Sequence, residues 1–253
     1  MMTTRILETR GLVNVVSGHT IIDHLDFDIE EGELRVLVGP NGAGKTTLID
    51  LITGRFGPTA GQILFRGQNI AGWPRHRIYG IGISRKFQVP TVYENLTIFE
   101  NMAIGLRGHR KAFSSLVFRV TSEHAAQIER ILAQVNLLAR AADEAHTLSH
   151  GEKQWLEIGM VVASEPQLML LDEPTTGMTR DETNTTAKLI KEIAGARSVM
   201  VVEHDMSFVR QIASKITVLH QGQKLAEGSV REVENNLKVA EVYLGREKIS
   251  AAP

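Results

Sequence analysis

The hydrophobic patterning of the 253 residues predicts an α/β fold, a core sheet that carries an inserted helical subdomain. Three observations predict it. The chain opens rich in strand patterns and turns helical from about Leu96. Strand patterns then return after Pro166, alternating with helices.

Taken in order, "ILETRGLV" and "HLDFDIEEGELRVLVG" alternate or run apolar as strands do, with Gly32 marking a turn inside the second. "KTTLIDLITG" reads as a helix ending at Gly54. Arg55 to Gly61 is turn-rich and leads into the strand "QILFRG", and "GIGISRKF" is another short strand. In "AAQIERILAQVNLLARA" apolar residues recur at three and four, the helical period. Strands return in "PQLMLLDEP", "SVMVVEHD", "KITVLHQG" and "QKLAEGS", and "VENNLKVAEVYLG" reads as a closing helix. Gly105 to Val120 is basic and apolar, either a surface segment or one that contacts a partner or a membrane.

Bulk properties exclude several classes. Hydrophobic residues at 43 % and charged residues at 23 % suit a globular domain with a real core. Lys and Arg number 28 against 29 Asp and Glu, so wholesale nucleic-acid binding is not expected. Without cysteine there can be no disulfide and no thiolate metal site. No apolar run approaches the roughly 20 residues that span a bilayer, and "MMTTRILETRGLV" is too interrupted by charge for a signal peptide. The expectation is a soluble cytoplasmic chain whose membrane role, if any, comes through a partner.

"GPNGAGKTT" joins the apolar strand "ELRVLV" to the next helix. Gly39, Pro40, Asn41, Gly42, Ala43, Gly44, Lys45, Thr46 and Thr47 thus form a P-loop in its required strand–loop–helix context. Gly42 and Gly44 let backbone approach phosphates, and the helix N-terminus favours their charge. Lys45 can reach β/γ oxygens, and the Thr46 hydroxyl can ligate Mg²⁺. A nucleoside triphosphate is the expected ligand.

"LMLLDEP" ends an apolar strand on two acids. Asp172 is placed to hold Mg²⁺ beside Thr46, and Glu173 to take a proton from an attacking water. His204 follows a second such strand, and Gln88 follows another. Alone, such a histidine is more often a local hydrogen-bonding residue. In a parallel sheet it sits where ligands bind, and Gln88 can ligate Mg²⁺ or orient water.

The P-loop, Gln88, "LSHGE", "LMLLDEP" and His204, in that order, resemble the ATPase subunit of ABC transporters over essentially the whole chain. The resemblance implies a P-loop NTPase core sheet with an antiparallel β subdomain and a helical subdomain at about 89–163, in one domain spanning 5–248. It implies ATP and Mg²⁺, with two ATPase subunits packed head to tail so that each ATP lies between one P-loop and the other subunit's signature. It also implies two integral membrane permease subunits, an extracytoplasmic substrate-binding protein and a peripheral position on the inner face of the membrane.

The finer likeness, in "RKFQVPTVYENLTIFENM", is to the branched-chain amino-acid importer group. "EKQWLEIGM", "VMVVEHDM" and "KLAEGSVREV" resemble its urea and short-chain amide branch, in which a second, different ATPase completes the pair. A homodimer is the alternative for the chain in isolation. An importer of branched-chain amino acids or another small polar solute is the alternative function, and a soluble non-transport ABC ATPase a distant one.

Some positions depart from the family pattern. Val16 stands where an aromatic usually stacks on adenine, forgoing about 1 kcal/mol. Thr179 stands where the loop after the acidic pair usually ends in Asp. In the signature, Ser149 and Gly151 keep the hydroxyl and the close-approach backbone, while His150 replaces Gly and Glu152 replaces Gln. The Glu152 charge is expected to repel the partner's γ-phosphate, so that Glu152→Gln raises ATPase activity.

Overall fold

The computed structural model describes residues 4–86, 92–106 and 120–244. Two long strands open it, β1 (Arg5–Val16) and β2 (His19–Glu30), joined through Ser17 and Gly18 at φ 50° and 79°. Two positive φ values in a two-residue loop make the turn whose twist suits a hairpin. Next come β3 (Leu34–Val38), α1 (Lys45–Ile52), β4 (Ala60–Phe65) and the short β5 (Gln68–Asn69). The strands β2, β1, β4 and β5, in that order, form an antiparallel sheet.

After α2 (Arg75–Gly80) and β6 (Ile83–Lys86) come the helices α3 (Ile98–Gly105), α4 (Ser122–Gln134) and α5 (His150–Ala163). The chain continues as β7 (Leu168–Asp172), α6 (Arg180–Ala194), β8 (Ser198–Val202) and α7 (Met206–Ile212). It closes with β9 (Lys215–His220), β10 (Gln223–Gly228), α8 (Val230–Glu234) and α9 (Leu237–Leu244).

The second sheet runs β10-β9-β3-β8-β7-β6 and is parallel except for β10. Every residue of β3, β7 and β8 is buried, as expected of parallel strands covered on both faces. Alternation divides their side chains. Val36, Val38, Met169, Leu171, Val199 and Val201 join a cluster with α3 to α7. Leu37, Leu168, Leu170, Met200 and Val202 pack instead with Leu48 and Ile49 of α1 and Phe27 of the antiparallel sheet. The core sheet is therefore the middle layer, and the parallel strands send their C-terminal ends to one edge.

The helices cross closely where glycine permits it. A Cβ on Gly105 would lie 2.6 Å from the Met160 carbonyl, which fixes α3 against α5. Two expectations change. The helix read across 125–141 stops at Gln134. Ile128, Ile131, Leu132 and Val135 form one buried stripe, from which Leu137 would point away in a continued helix. Asn136 at φ 59° turns the chain so that Leu137 is buried too, and Leu138–Arg140 form a 3₁₀ turn. The closing helix is two helices, because the Asn236 side chain accepts from the amides of Lys238 and Val239 and starts a new one. No helix among the described residues is long and apolar enough to cross a membrane.

Candidate active site

The P-loop leaves the buried end of β3 and turns on itself, the Ala43 amide donating to the Pro40 carbonyl at 3.1 Å. Gly44 has φ 100°, and a Cβ there would lie 2.7 Å from the Ile22 side chain, so only glycine fits. The helices α3, α4, α5, α6 and α8 each close their first turn with a side-chain capping box. At α1 there is no side-chain cap and no acid in the first turn. Its leading N–H groups and dipole remain available to an anion.

Lys45 is buried and folds back over its own loop, its Nζ donating to the carbonyls of Gly39 at 2.6 Å and Pro40 at 3.1 Å. Burial pushes its pKa down, while the charges of Glu173 and Asp172 oppose that. Asn41, Gly42 and Thr46 are exposed and Thr47 is half-buried.

Asp172, the last residue of β7, is almost wholly buried. Burial pushes its carboxyl up, against the pull of Arg85, whose Nη2 donates to Oδ2 at 2.7 Å. The same guanidinium holds Asp50 of α1. Glu173 takes a left-handed backbone, φ 45°, and its amide donates to the Val202 carbonyl at 2.9 Å. That turn sends Glu173 away from Asp172. Its Oε1 lies 3.6 Å from His204 Nδ1, and its Oε2 accepts from Thr176 Oγ1 at 3.3 Å. The structure thus brings Lys45, Asp172, Glu173 and His204 to one edge of the sheet. Gln88 lies outside the described residues, as does most of the 105–120 stretch.

Ser149 caps α5, its Oγ accepting from the Glu152 amide at 3.2 Å. A Cβ on Gly151 would run into the Glu182 carboxylate. His150 Nε2 donates to the Thr176 carbonyl at 3.0 Å and packs on Gly177, so it ties the signature to the loop after Glu173. Thr179 caps α6, accepting from the Glu182 amide at 3.3 Å, a task its side chain shares with the usual Asp. Val16 is exposed at the tip of the first hairpin, directly across from His19.

Glu152 departs from expectation. Its carboxylate turns back to the Ser149 amide at 2.8 Å and takes both oxygens to Arg140 Nη1 at 2.9 Å. Burial works against ionisation there, but the Ser149 amide and Arg140 outweigh it and hold the carboxyl below its usual range. The charge expected to repel a phosphate is therefore offset within its own subunit. Sequence reading missed Arg140 and Arg85, and also Glu203, a buried carboxylate beside His204. The one signal for Glu203 was an acid ending an otherwise apolar strand.

The profile of the ABC transporter family matches residues 22–176. The chain belongs to the ABC transporter family. It is 33% identical over 254 residues to the high-affinity branched-chain amino acid transport ATP-binding protein LivG of Escherichia coli (strain K12), covering 96% of this chain and 99% of that one. Its identity to the corresponding BraF of Pseudomonas aeruginosa is 33% over 253 residues, again covering 96% of this chain and 99% of that one. Among solved structures, a nucleotide-free ATP-binding cassette superposes with a TM-score of 0.83 at 26% identity, over 94% of this chain and 98% of that one. The ADP conformation of another ABC cassette gives 0.85 at 27% identity, over 96% of this chain and all (100%) of that one. The expected P-loop NTPase fold with its antiparallel sheet is thereby borne out, and the chain is a transport-coupled ATPase of the ABC type.

Proposed function

We propose that this chain energises an importer of branched-chain amino acids or a comparable small solute, by hydrolysing ATP at a site shared between two ATP-binding subunits. The observation that carries the chemistry is the convergence of Lys45, Asp172, Glu173 and His204 beside the uncapped start of α1. The importer class rests on the relatives, which are named for branched-chain amino acid transport.

In this reading residues 5–248 act as one unit, with 89–163 as the helical subdomain that meets the permease. The backbone N–H groups of Gly39 to Thr47, Pro40 excepted, and the Lys45 ammonium cradle the phosphates, and phosphate charge restores to Lys45 what burial costs it. Thr46, Asp172 and Gln88 are oxygen donors, the set that suits Mg²⁺, and a cation there would relieve the buried Asp172. Bound there, Mg²⁺ would supply charge neutralisation and orientation of the terminal phosphate. Glu173 accepts the proton of the attacking water, and His204 holds that water in line. Ser149, His150, Gly151 and Glu152 complete the site of the facing subunit, and Val16 contacts its own subunit's adenine.

The remaining partners follow from the same reading: a second ATP-binding subunit, two membrane permease subunits and an extracytoplasmic binding protein, with this chain peripheral on the inner membrane face. Urea or a short-chain amide is the second reading, favoured by "EKQWLEIGM", "VMVVEHDM" and "KLAEGSVREV". Uptake of labelled leucine and labelled urea by the reconstituted complex separates the two. ATP-driven leucine uptake is expected, and urea uptake alone would reverse the assignment.

A further inference from the structure

Glu203 is almost wholly buried at the end of β8, one residue before His204. A carboxylate out of water is costly unless donors surround it. Here the Thr175 amide and Oγ1 donate to its Oε1 at 3.3 and 2.6 Å, and the His204 amide donates to its Oε2 at 3.1 Å. His204 Nδ1 lies 3.8 Å away, and Lys86 of β6 is within electrostatic reach. The carboxylate thus grips two loops, one oxygen for each. Thr175 begins the loop that follows Glu173, and the next residue, Thr176, holds Glu173 Oε2 by its hydroxyl and His150 by its carbonyl. The His204 loop is the other.

We propose that Glu203 is a positioning residue for hydrolysis, clamping Thr175 to the His204 backbone so that Glu173 and His204 address one water. It touches neither nucleotide nor water itself. The inference rests on the ATPase reading above, in which Glu173 is the base.

The test is steady-state hydrolysis by the full chain, with nucleotide binding and thermal midpoint measured on each variant. Parent turnover that falls about a hundredfold or more in Glu173→Gln must come first; if the parent binds and turns over no ATP, the ATPase reading fails, not this one. Glu203→Ala is expected to lower kcat about ten- to a hundredfold, the scale of a small misplacement, with KM for ATP within about twofold. Glu203→Gln should fall between, because its one oxygen cannot accept from both loops. Thr175→Ser should keep parental rates while Thr175→Val falls toward Glu203→Ala. The double variant Glu203→Ala/Thr175→Val should be no slower than the worse single one, as partners in one contact are not additive. In a Glu173→Gln background, Glu203→Ala should cost several-fold less than it does in the parent, since the base it positions is gone and only His204 is left to misplace. Unchanged kcat in Glu203→Ala overturns the proposal. So does a loss as large in the Glu173→Gln background as in the parent, or one that tracks KM and thermal midpoint together. If Glu203→Ala does not fold, the Thr175→Ser and Thr175→Val pair decides: equal rates overturn the proposal.

Discussion

Asp172 and Glu173 are adjacent in sequence, yet their surroundings give them different work. Asp172 is sealed in the sheet and held by Arg85, whereas Glu173 turns through a left-handed backbone toward His204. A buried acid whose carboxyl is pushed up wants a cation, and a half-exposed one beside histidine can take a proton. Glu173→Gln keeps shape but cannot accept a proton, so turnover should fall about a hundredfold or more while ATP affinity stays near parental. Phosphate release and binding of a fluorescent ATP analogue measure the two, and near-normal hydrolysis would remove Glu173 from the role of base. Lys45→Ala should instead lose nucleotide affinity, because among the described residues no other side chain bonds the P-loop carbonyls from within the phosphate cradle. Parental affinity in that variant would contradict the phosphate-binding reading. The P-loop and the acidic pair were legible because their chemistry lies in contiguous spacing. Arg85, Arg140 and Glu203 were not, because each acts on a residue of another element, brought close only by strand pairing or helix packing.

At the scale of elements, the start of α5 shows a local rule overridden by its neighbours. An acid at the third position of a helix completes a capping box and suits the dipole, and Glu152 does both. Arg140 reaches it from the 3₁₀ turn, which exists because the α4 helix breaks at Asn136 to bury Leu137. The repulsion expected from Glu152 is thus contingent on Arg140. Glu152→Gln alone should leave ATPase activity within about twofold, since the removed charge was already offset. Arg140→Ala should lower activity severalfold by exposing that charge, and adding Glu152→Gln to it should restore the rate. Steady-state hydrolysis of the three variants checks this, and a large gain from Glu152→Gln alone would reinstate the repulsion. Buried strands such as β3, β7 and β8 were readable from their apolar runs. Helix ends were less so, because Asn136 and Asn236 act through tertiary burial and side-chain capping that periodicity does not register.

For the whole molecule, the proposed reading divides the site between two chains. The P-loop, Asp172, Glu173 and His204 gather at the strand ends, whereas Ser149 engages its own chain's Glu182 and the signature is tied to the loop of Thr176. In that reading each chain offers two unlike half-sites, and a head-to-tail pair would join one of each kind twice. That arrangement makes a complementation test decisive. Lys45→Ala should disable the P-loop of its own chain, and Ser149→Arg the signature it presents to its partner. Either variant alone, paired with itself, has no intact site. A mixed pair brings both lesions together in one site and leaves the other with an unaltered P-loop and an unaltered signature. Random mixing makes half the pairs mixed, each with one of two sites intact. Mixing equal amounts of two inactive variants should therefore recover about one quarter of parental ATPase activity if the sites act independently. If each chain used its own signature, every site would keep one lesion and the mixture would stay inactive. Phosphate release measured before and after mixing reads the difference directly.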